Sequence, residues 1–221
     1  MIFHILTIFP QMFSALNHSI LRRAQESGKI TINYIDIRDF SVDKNRRIDD
    51  YPYGGGAGMI MACEPIYRAY KSLNLSLNAK ICCLSPSGKV FNQKMANELA
   101  DLPELVLLCG HYEGIDQRII DEIVDFEISL GDFVLSGGEI AAMAVVDAVA
   151  RQIGDVISQE SLRDESFSSG LLEYPQYTRP YEFMGHCVPG ILLSGHHKNI
   201  ENWRMQKAQE KTQLLRPDLL K

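Results

Sequence analysis

The chain has 221 residues, 46% hydrophobic and 23% charged, an ordinary globular composition with enough apolar side chains for a sizeable core. Its net charge of −6 argues against a protein that coats nucleic acid indiscriminately, and no run approaches the ~18 consecutive apolar residues of a membrane helix. Cys63, Cys82, Cys83, Cys109 and Cys187 are odd in number, contain no C-x-x-C and lie mostly in apolar runs; reduced structural thiols are expected, with no metal or disulfide role.

The opening MIFHILTIFP lacks a basic leader and a small-residue cleavage site, and is expected to form the first strand, Phe3 to Phe9, of a soluble cytoplasmic protein. A helix is expected around Met12 to Ser27, stopped by Gly28. Strict alternation from Ile30 to Ile37 predicts a half-buried strand, and Pro65 sits where a helix through IYRAYKSLNL would begin. Lys80 to Leu84 and Glu104 to Cys109 read as buried strands separated by a helix that Asn92 opens. A helix from about Ile115 to Glu122, a strand from Val124 to Leu130 and a helix from Gly138 to Gln152 complete the unit. Short apolar strands alternating with helices imply an α/β fold with a mostly parallel sheet flanked by helices.

After Gly154 the texture changes. DVISQESLRDESFSSG is polar, serine-rich and aperiodic, and residues 155–172 are expected to be a flexible linker or lid between a domain over 1–154 and a small helical C-terminal domain over 173–221. In that domain His196 to Leu215 has helical spacing, with Ile200, Trp203, Met205 and Ala208 inward and the charges outward. Residues 196–221 carry six basic and three acidic side chains, against 16 and 25 in the rest. A polyanion would therefore prefer this segment, or the cluster Lys44, Arg46 and Arg47.

Three glycine turns, PYGGGAGM, CGHYEGID and VLSGGE, raise the question of a ligand. A phosphate loop needs G-x-x-x-x-G-K-[ST]; here Gly88-Lys89 is followed by Val90, and Cys83 stands where the first glycine belongs. A dinucleotide fingerprint after the first strand is also missing. SPSG, GHYEG and LGDFVLSGG instead fall at the C-terminal ends of predicted parallel strands, where open α/β sheets place their crevice. Glycines there let main chain approach a flat heterocycle, with Leu130, Phe133 and Leu135 to sandwich it. Any one loop could be a plain tight turn. Together they favour adenine with an uncharged or cationic tail over a triphosphate.

The stretches IFPQMF, RRIDDYPYGGGAGM, LSPSG, GHYEGID, SLGDFVLSGGE, ESFSSGLLEYPQYTRP and LLSGHHKNIENWR, in this order, resemble the bacterial tRNA (guanine-N1)-methyltransferases over essentially the whole chain. That family belongs to the knotted, SPOUT class of S-adenosylmethionine-dependent methyltransferases and modifies the guanosine immediately 3′ of the anticodon. The resemblance implies a deep trefoil knot in the C-terminal part of the sheet domain, and a homodimer with its active site at the subunit interface. It also implies a donor site made by Leu84, Ser85 and Pro86; Gly110, Tyr112 and Glu113; and Leu130, Gly131, Asp132, Phe133, Val134 and Leu135 with Gly137 and Gly138. Departures from the family pattern are Cys83 for Tyr, His111 for Arg, Leu130 for Ile and Phe133 for Tyr.

Guanine N1 is a poor nucleophile until its proton leaves, and the negative charge then spreads toward O6. Such a site needs a carboxylate near N1 and a cation or N–H near O6. The family's acid lies in a D-S-F stretch; the matching residue here is Glu165, with Asp164 just before it as the alternative base. Arg151 matches the arginine expected at O6. The resemblance brings in magnesium as a candidate ion beside Glu113, although the sequence holds no metal-ligand cluster. Tyr177, Arg179, Lys198, Arg204, Lys207 and Lys211 are expected to contact tRNA, whose target base must be flipped out. Rival readings are a sister enzyme acting at another RNA position and a catalytically inactive RNA-binding protein.

Overall fold

A computed structural model describes residues 1–220. The chain divides into two compact units, Met1–Ile157 and the residues from Ser158 onward. The first contains β1 (Ile2–Thr7), a 3-10 segment (Pro10–Asn17), α1 (Ser19–Glu26), β2 (Thr31–Asp36), β3 (Asp49–Asp50) and β4 (Ile60–Met61). There follow α2 (Cys63–Lys71), β5 (Lys80–Val90), α3 (Gln93–Ala100), β6 (Glu104–Cys109), α4 (Gln117–Ile123), β7 (Phe126–Ser129) and α5 (Glu139–Ala150).

Five strands form one parallel sheet in the order β2-β1-β6-β5-β7. The central β6 is apolar on both faces, as a strand covered on both sides must be. Leu105, Leu107 and Cys109 join a cluster with Phe13, Leu16, Ala96 and Val145, from the 3-10 segment, α3 and α5. Val106 and Leu108 join the opposite cluster with Ile66 and Ile119, from α2 and α4. The expected α/β architecture is therefore present, with helices on both faces.

Three local differences have physical causes. The helix expected from Met12 to Ser27 is two elements, divided at His18, whose backbone is extended. Buried Phe13 and Leu16, three apart, match the three-residue turn of the first piece. Strand β5 runs well past Leu84 to Val90, and Leu84 and Lys89 both register with Ile128, so Ser85–Gly88 is an excursion within a strand. At Gly88 a Cβ would collide with the Ile128 backbone, which admits only glycine at this crossing. Finally, PYGGGAGM is the loop of the antiparallel β3/β4 hairpin.

The second unit contains α6 (Gln159–Arg163), a short antiparallel pair β8 (Glu182–Phe183) and β9 (His186–Cys187), a 3-10 turn (Gly190–Leu193) and α7 (His197–Leu215). The stretch read as aperiodic linker thus carries a one-turn helix, whose cap Ser158 accepts from Ser161 N–H at 3.3 Å. It continues into a closed turn: Phe167 N–H donates to Leu171 O at 2.7 Å, and Leu172 N–H donates to Thr212 Oγ1 at 2.8 Å. On α7 the expected inward Met205 is 52% exposed, while Ala208 and Thr212 are buried and Trp203, Arg204, Lys207 and Lys211 are half-buried. Arg204 and Thr212 flank Ala208 at four-residue spacing, and long basic side chains cover apolar surface with their stems. Among the described residues no helix is long and apolar enough to cross a membrane.

Candidate active site

A cleft of about 400 Å³ opens in the first unit at the C-terminal ends of β5, β6 and β7. Leu84, Ser85, Pro86, Gly110, Tyr112, Glu113, Leu130, Phe133, Val134, Leu135, Gly137 and Gly138 line it; Gly131 and Asp132 do not. Gly131 has its main chain engaged elsewhere, since Ser129 Oγ donates to its carbonyl and accepts from its N–H, both at 3.1 Å.

The three loops are held differently. Ser85 Oγ accepts from Ser87 N–H at 3.1 Å, closing the excursion in β5. The loop after β6 is pinned to the segment entering β4, with Glu113 N–H on Met59 O at 3.0 Å and Met61 N–H on Gly114 O at 2.9 Å. Tyr112 is left-handed at φ 60°, a conformation that non-glycine residues adopt only when their surroundings enforce it. The third loop meets the second through Gly138 N–H on Gly110 O at 2.9 Å. Gly138 has ordinary helical dihedrals, so what requires glycine there is close approach, not backbone freedom.

The cleft's charge is one-sided. Glu113 and Glu127 line it, and among the described residues no Lys or Arg does. Beneath it lies Glu139, 1% exposed, its carboxylate bonded by Thr7 and His111. Burial, then the charge of Glu127, pushes the Cys83 thiol up to about 12. Cys109 is also raised, by burial first and then by Glu139. Protonated thiols, paired carboxylates and exposed main chain suit a flat polar heterocycle carrying a cation, and repel phosphate.

Sequence reading missed the roles of Glu139, Glu127 and Ser129, and saw His111 only as a departure from a family pattern. Glu139 was visible as an acid following two glycines, but its partner Thr7 lies 132 residues away. No spacing rule links them.

The remaining predicted residues lie elsewhere. Arg151 caps the C-terminal end of α5, its N–H on Asp147 O at 3.1 Å. The 12 residues of α5 put it about 18 Å from the Gly138 end, and Arg151 is not among the residues that line the cleft. In the second unit Asp164 ends α6, accepts from the Tyr174 hydroxyl at 3.4 Å and pairs with Arg163 at 3.5 Å. Glu165 begins the following turn, its carbonyl accepting from Ser168 N–H at 3.2 Å. Tyr177 is exposed with its ring 6.4 Å from Trp203, and Arg204 stacks on Tyr174 at 4.8 Å. Lys207 pairs with Glu210 at 2.6 Å and Lys211 donates to Glu173 O at 3.0 Å, whereas Arg179 and Lys198 are exposed. Among the described residues no group of three or more His, Cys, Asp or Glu side chains could hold a metal ion.

The family described as tRNA (Guanine-1)-methyltransferase TrmD matches residues 1–221. The chain is 56% identical over 218 residues to the tRNA (guanine-N(1)-)-methyltransferase of Clostridium botulinum (strain Alaska E43), covering 98% of this chain and 91% of that protein. It is 52% identical over 221 residues to the enzyme of that name from Ruminiclostridium cellulolyticum, with 98% and 95% covered. For the enzyme of that name from Caldanaerobacter subterraneus subsp. tengcongensis the identity is 56% over 223 residues, with 100% and 92% covered. By class, then, this is a methyltransferase enzyme built on an α/β unit with its cleft at the strand ends. The chain belongs to the tRNA (Guanine-1)-methyltransferase TrmD family.

Proposed function

We propose that this chain transfers a methyl group from S-adenosylmethionine to N1 of the guanosine immediately 3′ of the tRNA anticodon, in the cytoplasm and as a homodimer. The observation that carries the reading is the cleft's chemistry: loops of bare main chain, two carboxylates in the lining and, among the described residues, no lysine or arginine. A sulfonium donor is cationic and presents a flat adenine, and both features match those walls. Gly137 and Gly138 belong to the same fit, since a Cβ at either would collide with what lies behind it.

The bound donor supplies an electrophilic methyl and leaves as a neutral thioether. Everything else falls to side chains of this protein. Glu165 takes the N1 proton, the lone pair freed at N1 accepts the methyl, and Arg151 meets the negative charge that gathers on O6. Asp164 is bonded by Tyr174 and Arg163 within its own unit, which suits a positioning role, and Glu165 is the residue that matches the family's acid. The length of α5 between Arg151 and the cleft supports a shared site, in which Arg151 serves the cleft of a second copy. Glu113 alone makes no built magnesium site, and no step of the reaction runs through that ion.

The finer fold is part of the same proposal. The close crossings of Gly88 over Ile128 and of Gly138 over Cys109 support a chain threaded here as a trefoil knot. The second unit would hold tRNA through Tyr177, Arg179 and Lys198, with Arg204, Lys207 and Lys211 shaping the surface around them.

Methyl transfer to tRNA with guanosine 3′ of the anticodon, against the same tRNA with adenosine there, tests the reading. Transfer is expected to the first only. Donor binding without transfer would favour an inactive RNA-binding protein, and transfer elsewhere a sister enzyme.

A further inference from the structure

Glu139 is the first residue of α5, and a carboxylate so deeply buried is tolerated only when its oxygens are met by donors. Distant parts of the chain supply them. Thr7, at the end of β1, donates from Oγ1 to Oε1 at 2.8 Å, and His111 Nε2 stands 3.0 Å from Oε2. Thr7 is fully buried, and its hydroxyl also accepts from Phe9 N–H at 2.9 Å. The Phe9 ring in turn packs T-shaped on His111 with centroids 5.0 Å apart. The imidazole is thus fixed by a carboxylate on one edge and an aromatic ring beside it. Gly137 lies directly over the pair, since a Cβ there would collide with both His111 Nε2 and Glu139 Oε2.

His111 and Gly137 line the cleft, whereas Glu139 and Thr7 do not. We propose that Glu139 is a positioning residue for the methyl donor: through Thr7 and His111 it locks the loops over residues 110–114 and 131–138 to the end of β1, and so sets donor affinity from outside the cleft. The inference rests on the reading of the cleft as the donor site. A carboxylate accepts, so Nε2 is the nitrogen that carries hydrogen toward Glu139. The second loop, with Tyr112 in its enforced left-handed conformation, is held at its second residue by this pair. Without it the donor would have to order the loop as it binds, and affinity would fall by that cost.

The test is donor affinity in the full-length protein, measured calorimetrically with S-adenosylhomocysteine, together with KM and kcat for S-adenosylmethionine. Thr7→Val, His111→Ala and Glu139→Gln should each weaken binding by roughly tenfold, the cost of unpairing one buried polar group. For Thr7→Val the loss should appear in KM with kcat at saturating donor near the wild-type value. The double variant Thr7→Val, His111→Ala should lose much less than the product of the single losses, because both act through one carboxylate. His111→Arg, which keeps an N–H for Glu139, should retain affinity within a few-fold. A merely structural role would lower melting temperatures and leave donor affinity of the folded protein unmoved. That result, or multiplicative losses in the double variant, overturns the proposal. Should Glu139→Gln fail to fold, the Thr7 and His111 variants decide alone. Wild-type protein that bound no donor would instead sink the reading of the cleft itself.

Discussion

Gly138 lies so close to Cys109 that a Cβ on the glycine would stand 2.8 Å from the Cys109 Cα, well inside ordinary van der Waals distance. The neighbour is backbone of the central strand and cannot step aside. Gly138→Val should therefore displace the third loop and weaken donor binding, and Gly138→Ala should cost about 1–3 kcal/mol in stability. Calorimetric titration with donor and a thermal melt check the two effects. Unchanged donor affinity in the valine variant would show that this turn does not face the ligand.

Glu165→Gln should abolish methyl transfer while leaving donor affinity nearly intact, because the cleft proposed to hold the donor belongs to the other unit. Asp164→Asn should keep measurable turnover and mainly loosen the hold of Tyr174. Single-turnover assays with saturating donor and tRNA separate the two. If Asp164→Asn proves the inactive variant, the base is Asp164.

Alkaline pH should destabilise the first unit. Burial holds Cys83 above its ordinary value of 9.0, at about 12, and raises Cys82 and Cys109 as well. An unfolded chain releases these thiol protons near the ordinary value, so between there and about pH 12 the unfolded state binds fewer protons than the folded one. Stability is fully present below about pH 9 and falls as pH rises through this window. Melting temperatures across the range, compared with those of Cys83→Ala, measure the share of one thiol. The same protonated state makes exposed Cys187, and not Cys83, the site that a maleimide labels first in native protein.

Lys198 and Lys207 should behave differently toward tRNA. Lys198 is exposed, so Lys198→Ala should weaken tRNA binding by roughly threefold and lower the salt dependence by about one phosphate contact. The Lys207 ammonium sits 2.6 Å from Glu210, and its alanine variant should shift tRNA affinity less. Binding isotherms over a range of salt concentrations read both numbers.

Much of the sheet was legible because its signals are local. Short unbroken apolar runs at Cys82–Leu84 and Leu105–Cys109 read as strands buried on both faces, and Gly28 and Asn92 mark helix ends by their own chemistry. Glycines at 110, 137 and 138 likewise announced main chain exposed at strand ends, which is where the cleft lies. What could not be read depends on pairing across the chain. The excursion at Ser85–Gly88 exists because Leu84 and Lys89 meet the same residue of β7, and that register is not written in the residues of β5. The buried Glu139 needs Thr7 and His111, and Arg204 stacks on Tyr174, thirty residues earlier.

The length of α5 carries a consequence for how activity responds to dilution. The helix acts as a spacer, with a glycine turn of the donor cleft at one end and Arg151 at the other, so on the proposed shared site no single chain owns a working centre. Donor binding would then belong to the protomer and turnover to the pair. As enzyme is diluted below its self-association constant, specific activity should decline while the donor isotherm keeps its shape. Two inactive chains, one altered at Gly138 and one at Arg151, should regain turnover when mixed, to about a quarter of the native level if exchange is random and each mixed pair keeps one intact centre.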